Sequence, residues 1–215
     1  MLLSPEVIML SLARALNYGM IVFFIVMSSQ GAAIAGIFER ADIAYNEGDY
    51  LKAMELWQSL AKQEFPRAQY NLGKMYYFGE GVRTNQNEGR KWWRKAADQG
   101  HTRAQFNLGN IHYYGDGVDE NLEKAISWYR NAADQGFASA QFVLGLMYRL
   151  GEGVEKNNIQ AYKWWGLAAN QGHEDAISNK SDVRKLMTRN EIVRAKLLLK
   201  NWRVKPHKVI QSKPD

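Results

Sequence analysis

An all-α solenoid of antiparallel helix hairpins, capped at both ends, is the fold this sequence predicts, and three observations carry the prediction. Residues 68–103, 104–139 and 140–175 form three consecutive blocks of equal length that repeat one another without a gap. Stacked at that 36-residue offset, Ala68, Ala104 and Ala140 coincide, as do Leu72, Leu108 and Leu144, then Gly73, Gly109 and Gly145, and later Trp92, Trp128 and Trp164. Within each block the apolar residues fall at helical spacing. A fixed period of about 20 to 50 residues marks units that bury their apolar face only against a neighbour.

Each element of a unit has its own signals. Ala68, Leu72, Met75, Tyr76 and Gly79 lie at i, i+4, i+7, i+8 and i+11, one stripe of a helix called A. It closes at Gly79-Glu80-Gly81-Val82, repeated as Gly115-Asp116-Gly117-Val118 and Gly151-Glu152-Gly153-Val154, where glycine takes the left-handed conformation and valine tucks the loop in. Asn85, Asn121 and Asn157 are placed as N-caps of a second helix, B. Glu88 and Gln160, three residues on, complete capping boxes in two of the three units. Helix B carries a Trp-aromatic pair and the small pairs Ala96-Ala97, Ala132-Ala133 and Ala168-Ala169, and ends at Gly100, Gly136 or Gly172. The alanines let two helices approach closely, and the indoles fill the space between successive hairpins.

The pattern A-Q-[YF]-x-L-G-x-[MI], G-[ED]-G-V, W-[WY]-x-x-A-A-[DN]-Q-G resembles the Sel-one-like repeat, a relative of the tetratricopeptide repeat, over three full units or about half of the chain. The resemblance implies a right-handed superhelix of antiparallel helix pairs and an adaptor role in assembling protein complexes, often membrane-associated ones. One Cys-rich bacterial branch has been assigned penicillin binding and β-lactamase activity. This chain has no cysteine, so it lacks that branch's disulfide framework and the enzyme alternative is weakened.

The flanks read differently. Residues 1–35 form a signal peptide or an N-terminal membrane anchor. Between Arg14 and Glu39 no charge occurs, Met20 to Met27 is strongly apolar, and Ala33-Ile34-Ala35 is a small-x-small cleavage pattern. Cleavage would start the mature chain near Gly36 and place it in the periplasm or outside the cell. The alternatives are an anchor over residues 15–38 or a true start at Met9 or Met20. Residues 36–67 are a degenerate leading hairpin: a helix A over roughly Ile37 to Asn46, the short Glu47-Gly48-Asp49 turn, and a helix B with Ala53, Trp57 and Ala61 in register. Pro66 breaks the chain before the first full repeat. After Asp175 the period ends, and residues 176–202 read as a closing hairpin whose second helix opens at a Thr188/Glu191 capping box. Residues 203–215, with two prolines and three lysines, are a basic disordered tail.

Composition narrows the chemistry. Hydrophobic residues make up 46% and charged residues 23%, close to the globular norm. The net charge of +6 is uneven: the first full repeat has four more basic than acidic residues, the second three fewer, and residues 176–215 eight more. Without cysteine there is no disulfide, thiolate zinc site or cysteine nucleophile. Ser59-Leu60-Ala61-Lys62 matches an S-x-x-K element, but its companion motifs are missing, so Ser59 and Lys62 read as helix-surface residues. His101 and His173 share a repeat position with Phe137 and read as packing residues, and His112 as a satisfied core histidine. The glycine loops follow a helix rather than a strand and lack a P-loop lysine. No catalytic, metal or cofactor site is expected. Arg90, Lys91, Arg94 and Lys95 form a basic cluster that reads as a solvated helix face rather than a nucleic-acid patch.

Stepping 100° per residue puts Tyr70, Lys74 and Tyr77 on the face of helix A opposite its stripe, with Phe106, Asn110 and Tyr113, then Phe142, Leu146 and Arg149, in the next units. In the related tetratricopeptide fold this surface lines a concave groove for extended peptides, and the resemblance implies the same here. The reading is a non-catalytic protein-protein interaction scaffold of the cell envelope. Its partner is a protein or peptide, acidic if the basic excess steers it, and not nucleic acid. Packing competes with binding at Tyr70, Phe106 and Phe142, which adjacent hairpins can cover.

Overall fold

The computed structural model describes residues 31–206, and every regular element among them is helical. Helix α1 covers residues 31–46, followed by α2 (Tyr50–Lys62), α3 (Pro66–Phe78), α4 (Gln86–Asp98), α5 (Thr102–Tyr114), α6 (Leu122–Asp134), α7 (Ala138–Leu150), α8 (Asn158–Ala169), α9 (Glu174–Lys185) and α10 (Arg189–Asn201). The architecture is an all-α repeat solenoid. The chain divides into two compact units, Met1–Trp57 and Gln58–Asp215, with the boundary inside α2.

In the first unit α1 turns into α2 at Gly48, whose φ of 84° suits only glycine, and Asp49 Oδ1 accepts the Lys52 N–H at 3.1 Å. The Tyr45 ring lies 5.3 Å from those of both Tyr50 and Trp57. Residues 31–36 are already helical, so the expected cleavage point near Gly36 falls within α1. The apolar segment before residue 31 lies outside the described residues. No helix among the described residues is long and apolar enough to cross a membrane.

In the second unit each helix packs on its sequence neighbour from α3 to α9, and α8 also packs on α10. Pro66 does not break the chain there. It sits in the first turn of α3, where its missing N–H costs nothing. Gly79, Gly115 and Gly151 close α3, α5 and α7 with φ of 76°, 67° and 84°, as the glycine loops require. Asn85, Asn121 and Asn157 cap α4, α6 and α8 by accepting the N–H of Glu88, Lys124 and Gln160. The expected capping boxes stay half-made for a physical reason: the backbone N–H groups of Asn85 and Asn157 donate instead to Tyr76 O and Tyr148 O, both at 2.7 Å. Thr188 and Glu191 make both bonds of their box.

Two packing devices hold the hairpins. The second aromatic of each pair packs directly against a helix A glycine within its own repeat. A Cβ at Gly73 would stand 2.3 Å from Trp93 Cδ1, and Gly109 and Gly145 meet Tyr129 and Trp165 in the same way. The first aromatic works between repeats, as expected: Trp128 clusters with Trp93, Ala96, Ala97 and Ala104, and Trp164 with Ala132, Ala133 and Ala140. The other device is a buried amide spine. Gln105 donates to Ala97 O at 3.0 Å and accepts from Gln135 at 2.8 Å. Gln69 and Gln141 do the same with Ala61 and Gln99, and with Ala133 and Gln171.

The period outlasts its sequence signature. Helix α9 begins at Glu174, at the same offset from Ala138 as α7 keeps from Thr102, and Ala176 is fully buried like Ala68, Ala104 and Ala140. The helix remains in register although leucine, glycine and tryptophan have gone, because a small residue at the closest approach is what the packing demands. Leu199 of α10 then fills the space over Gly166. Of the stretch read as a basic tail, residues 203–206 are described, and Lys205 is fixed there: its N–H donates to Asp134 O at 2.8 Å and its Nζ to Asp134 Oδ2 at 2.9 Å. Residues 207–215 lie outside the described residues.

Candidate functional site

The A helices α3, α5 and α7 each end on a large apolar residue that stands out in solvent. Phe78, Tyr114 and Leu150 are 60%, 74% and 60% exposed, and Leu186, at the same offset beyond Leu150, is 59% exposed. Met75, Ile111 and Met147, three residues earlier on the last turn of the same helices, are buried, so the exposure belongs to this position and not to a loosely packed end. Scattered exposed apolar side chains are ordinary; a row at a fixed period is a surface feature.

Between Phe78 and Tyr114 the surface opens into a cleft of about 340 Å³ lined also by Tyr77, Trp93, Asn107, Asn110, Ile111 and Asp116. Trp93 and Ile111 are buried and form its floor. The Tyr77 ring lies 5.2 Å from Phe78 and 4.6 Å from Trp93, and its hydroxyl donates to Asp116 Oδ2. Burial, and then that bond, push the Tyr77 phenol up to about 12. Arg90 Nη1 holds the loop by donating to Asp116 O at 3.1 Å. Asn110 Oδ1 accepts the Tyr129 hydroxyl at 2.7 Å, a bond that orients its amide.

Of the face expected on helix A, Tyr77 and Asn110 line this cleft, and the other residues serve elsewhere. Tyr70 stacks on His101 at 4.5 Å, Phe142 on His173 at 4.4 Å, and Phe106 meets Phe137 edge-on at 5.4 Å. Those three rings are packing residues that bind each helix A to the turn beyond the next helix B. Tyr113 donates to Glu152 Oε2 at 2.7 Å, Lys74 pairs with Glu80 at 3.5 Å, Leu146 packs against the α8–α10 core, and Arg149 is half-buried on α7. Sequence stepping missed Phe78, Tyr114 and Asn107. The signal available was the aromatic or leucine recurring directly before each capping glycine.

The remaining candidates take structural roles. His101 Nδ1 accepts the Ala104 N–H at 3.3 Å and caps α5; burial first, then Arg103 and Arg67, push it down to about 4. His112 is not satisfied as expected: its Nδ1 is buried without a protein partner, and burial, then Lys124 and Arg94, lower its pKa. The basic cluster is bonded within the chain: Lys91 to Glu88 at 3.4 Å, Arg94 to Asp98 at 3.0 Å, Lys95 over the Trp92 ring at 4.4 Å, and Arg90 to the glycine loop of the next repeat. Ser59 and Lys62 are exposed on α2. Among the described residues, no group of three or more His, Asp or Glu is placed to hold a metal ion.

The Sel1 repeat model matches residues 43–65, 66–101, 102–137 and 138–173, more than half of the chain. Its last three units begin at the observed starts of α3, α5 and α7 rather than at Ala68, and its first, 43–65, takes in the leading hairpin from within α1. Solved structures similar to this chain include the following two. A protective antigen of uropathogenic Escherichia coli strains, displaying an SLR fold, shares 32% identity at a TM-score of 0.69 over 81% of this chain. A Sel1 repeat protein from Oxalobacter formigenes shares 34% identity at a TM-score of 0.64 over 66% of it. The chain spans only 38% and 59% of those two proteins. No curated protein matches it. Repeats of this kind typically mediate protein-protein interaction and are generally non-catalytic. Four repeats matched in sequence and an SLR solenoid in structure place this chain in the Sel1 repeat family.

Proposed function

We propose that this protein is a non-catalytic scaffold that holds a segment of another protein across the C-terminal ends of its A helices. The observation that carries it is the periodic exposure of Phe78, Tyr114, Leu150 and Leu186, with the Phe78–Tyr114 cleft as its deepest point. Aromatic residues over a buried floor with few polar groups are what binding hot spots are made of. The basic excess behind an acidic partner lies in residues 176–215, whereas the cleft itself carries Asp116; acidity in the partner therefore belongs to a different surface from this one.

We further propose that the protein works at the cell envelope, on the strength of the apolar stretch and small-x-small site before Gly36. N-terminal sequencing of the protein from its native cell should begin near Gly36; a chain retaining residue 1 in a soluble fraction contradicts export. The scaffold reading is tested by affinity capture with quantitative mass spectrometry, comparing wild type with Phe78→Asp/Tyr114→Asp and with Val193→Asp, which alters an equally exposed residue on α10. A partner lost from the double variant and retained by Val193→Asp is the expected result. Equal recovery with all three forms contradicts it.

A further inference from the structure

We propose that the cleft between Phe78 and Tyr114 receives an arginine side chain of the partner. This rests on the scaffold reading above and adds the chemistry of the residue that anchors there. An apolar cleft alone would take leucine as readily, but three features of this one fit a planar cation better. Its lining is aromatic on several sides, with Tyr77, Phe78, Trp93 and Tyr114, and ring faces attract cations, arginine most often. Asp116 supplies a carboxylate whose Oδ2 is fixed by the Tyr77 hydroxyl, while Arg90 engages its backbone oxygen and not the carboxylate. Oδ1 can therefore accept a guanidinium N–H. Asn107 also lines the cleft, and its amide brings a second group able to accept from a fork of donors.

The local charge has the matching sign. After Tyr114 come Asp116, Asp119 and Glu120, with Glu123 in the first turn of α6 and Lys124 the first basic residue; Arg90 is the cation that reaches this loop. Position for position, the next repeat replaces Asn107, Asn110 and Tyr114 with Val143, Leu146 and Leu150. Arginine recognition is thus a property of the first cleft and not of the repeat as such.

The test is an NMR titration of the full chain, labelled with nitrogen-15, using argininamide, citrullinamide and leucinamide as probes. The backbone amides of Phe78, Asn107, Asn110 and Tyr114 and the Trp93 indole N–H are the reporters. Argininamide should give saturable shifts at these positions, and citrullinamide, which keeps the shape without the charge, should bind at least about fivefold more weakly. Asp116→Asn keeps an oxygen for the Tyr77 hydroxyl and should cost argininamide about the same factor; Tyr114→Leu, on an exposed side chain, should weaken it too. Equal response to leucinamide or citrullinamide, undiminished binding by Asp116→Asn, or shifts spread over the acidic loops instead of the cleft would each overturn the arginine assignment. None of these results touches the scaffold reading, which falls separately if the partner survives Phe78→Asp/Tyr114→Asp.

Discussion

The Tyr113 hydroxyl donates to the Glu152 carboxylate at 2.7 Å, tying helix A of one repeat to the glycine loop of the next. Tyr77 and Asp116 are joined in the same way one repeat earlier, and the ladder ends at Arg149, where residues 186–188 link α9 to α10 without a glycine loop. The preceding helix B meets the same loop: a Cβ at Gly117 would lie 2.4 Å from Arg90 Nη1, and one at Gly153 would lie 2.7 Å from Leu122 Cβ. Each loop is therefore clamped by both helices of the hairpin before it. A row of exposed side chains can keep a fixed spacing only if neighbouring repeats are held in this way.

Tyr113→Phe should destabilise the fold by about 1 kcal/mol, the usual net value of such a bond. In a double-mutant cycle with Glu152→Gln, followed by chemical denaturation, coupling of about 0.5–1 kcal/mol is expected; no coupling would mean the bond is idle. Its bond to Glu152, then burial, push the Tyr113 phenol up to about 12. The folded state then holds its proton more tightly than the unfolded one, so this contribution is intact below the ordinary value of 10 and fades as pH rises from 10 towards 12.

The amide spine should be unequal along its length. Gln105→Leu removes two buried hydrogen bonds, while Ala97 O keeps the Gly100 N–H and the Gln135 amide keeps Asn131 O, and should cost about 1–2 kcal/mol. Gln69→Leu should cost less, because Gln69 reaches Ala61 O only at 3.5 Å. Denaturation midpoints at constant m-value measure the order, and a costlier Gln69→Leu would contradict it.

Gly109→Ala tests the ring-on-glycine contact. On an exposed helix the change stabilises by up to about 1 kcal/mol. Here the new Cβ would stand 2.5 Å from Tyr129 Cε1, and overpacking should instead cost about 1–3 kcal/mol, read as a lower midpoint.

Much of this was written in the repeat itself. Ala68, Leu72, Gly79 and Asn85 each have one physical reason to be what they are, and repetition made those reasons visible. The rest depended on partners far apart in the chain. Nothing local shows that Gln105 and Gln135 share a bond, or that the Asn85 N–H is taken by Tyr76 O and cannot serve a capping box. Helix α9 escaped notice as a further A helix because only Ala176 of the signature survives there. Of the face stepped out on helix A, Tyr77 and Asn110 line the cleft, but the 100° step stopped short of Phe78 and Tyr114, which stand out at the helix end where no following turn covers them.

His101→Phe borrows the residue that the next repeat has at Phe137 and isolates a proton-linked term. The folded value near 4 lies below the ordinary 6.5, so the folded chain binds fewer protons between those limits. The contribution is present above pH 6.5 and is lost as pH falls towards 4. Wild type should therefore lose more stability than His101→Phe over this interval, on the order of 2 kcal/mol; parallel pH profiles would contradict the burial of His101.

The central claim is that the ends of the A helices meet a partner protein, and site-specific photo-crosslinking in the native cell tests it most directly. With benzoylphenylalanine at position 114, one discrete adduct is expected, absent when Phe78→Asp is added and absent when the probe is placed at position 193, where Val193 is as exposed as Phe78. The same adduct from both positions, or an adduct at 114 that persists with Phe78→Asp, would contradict it.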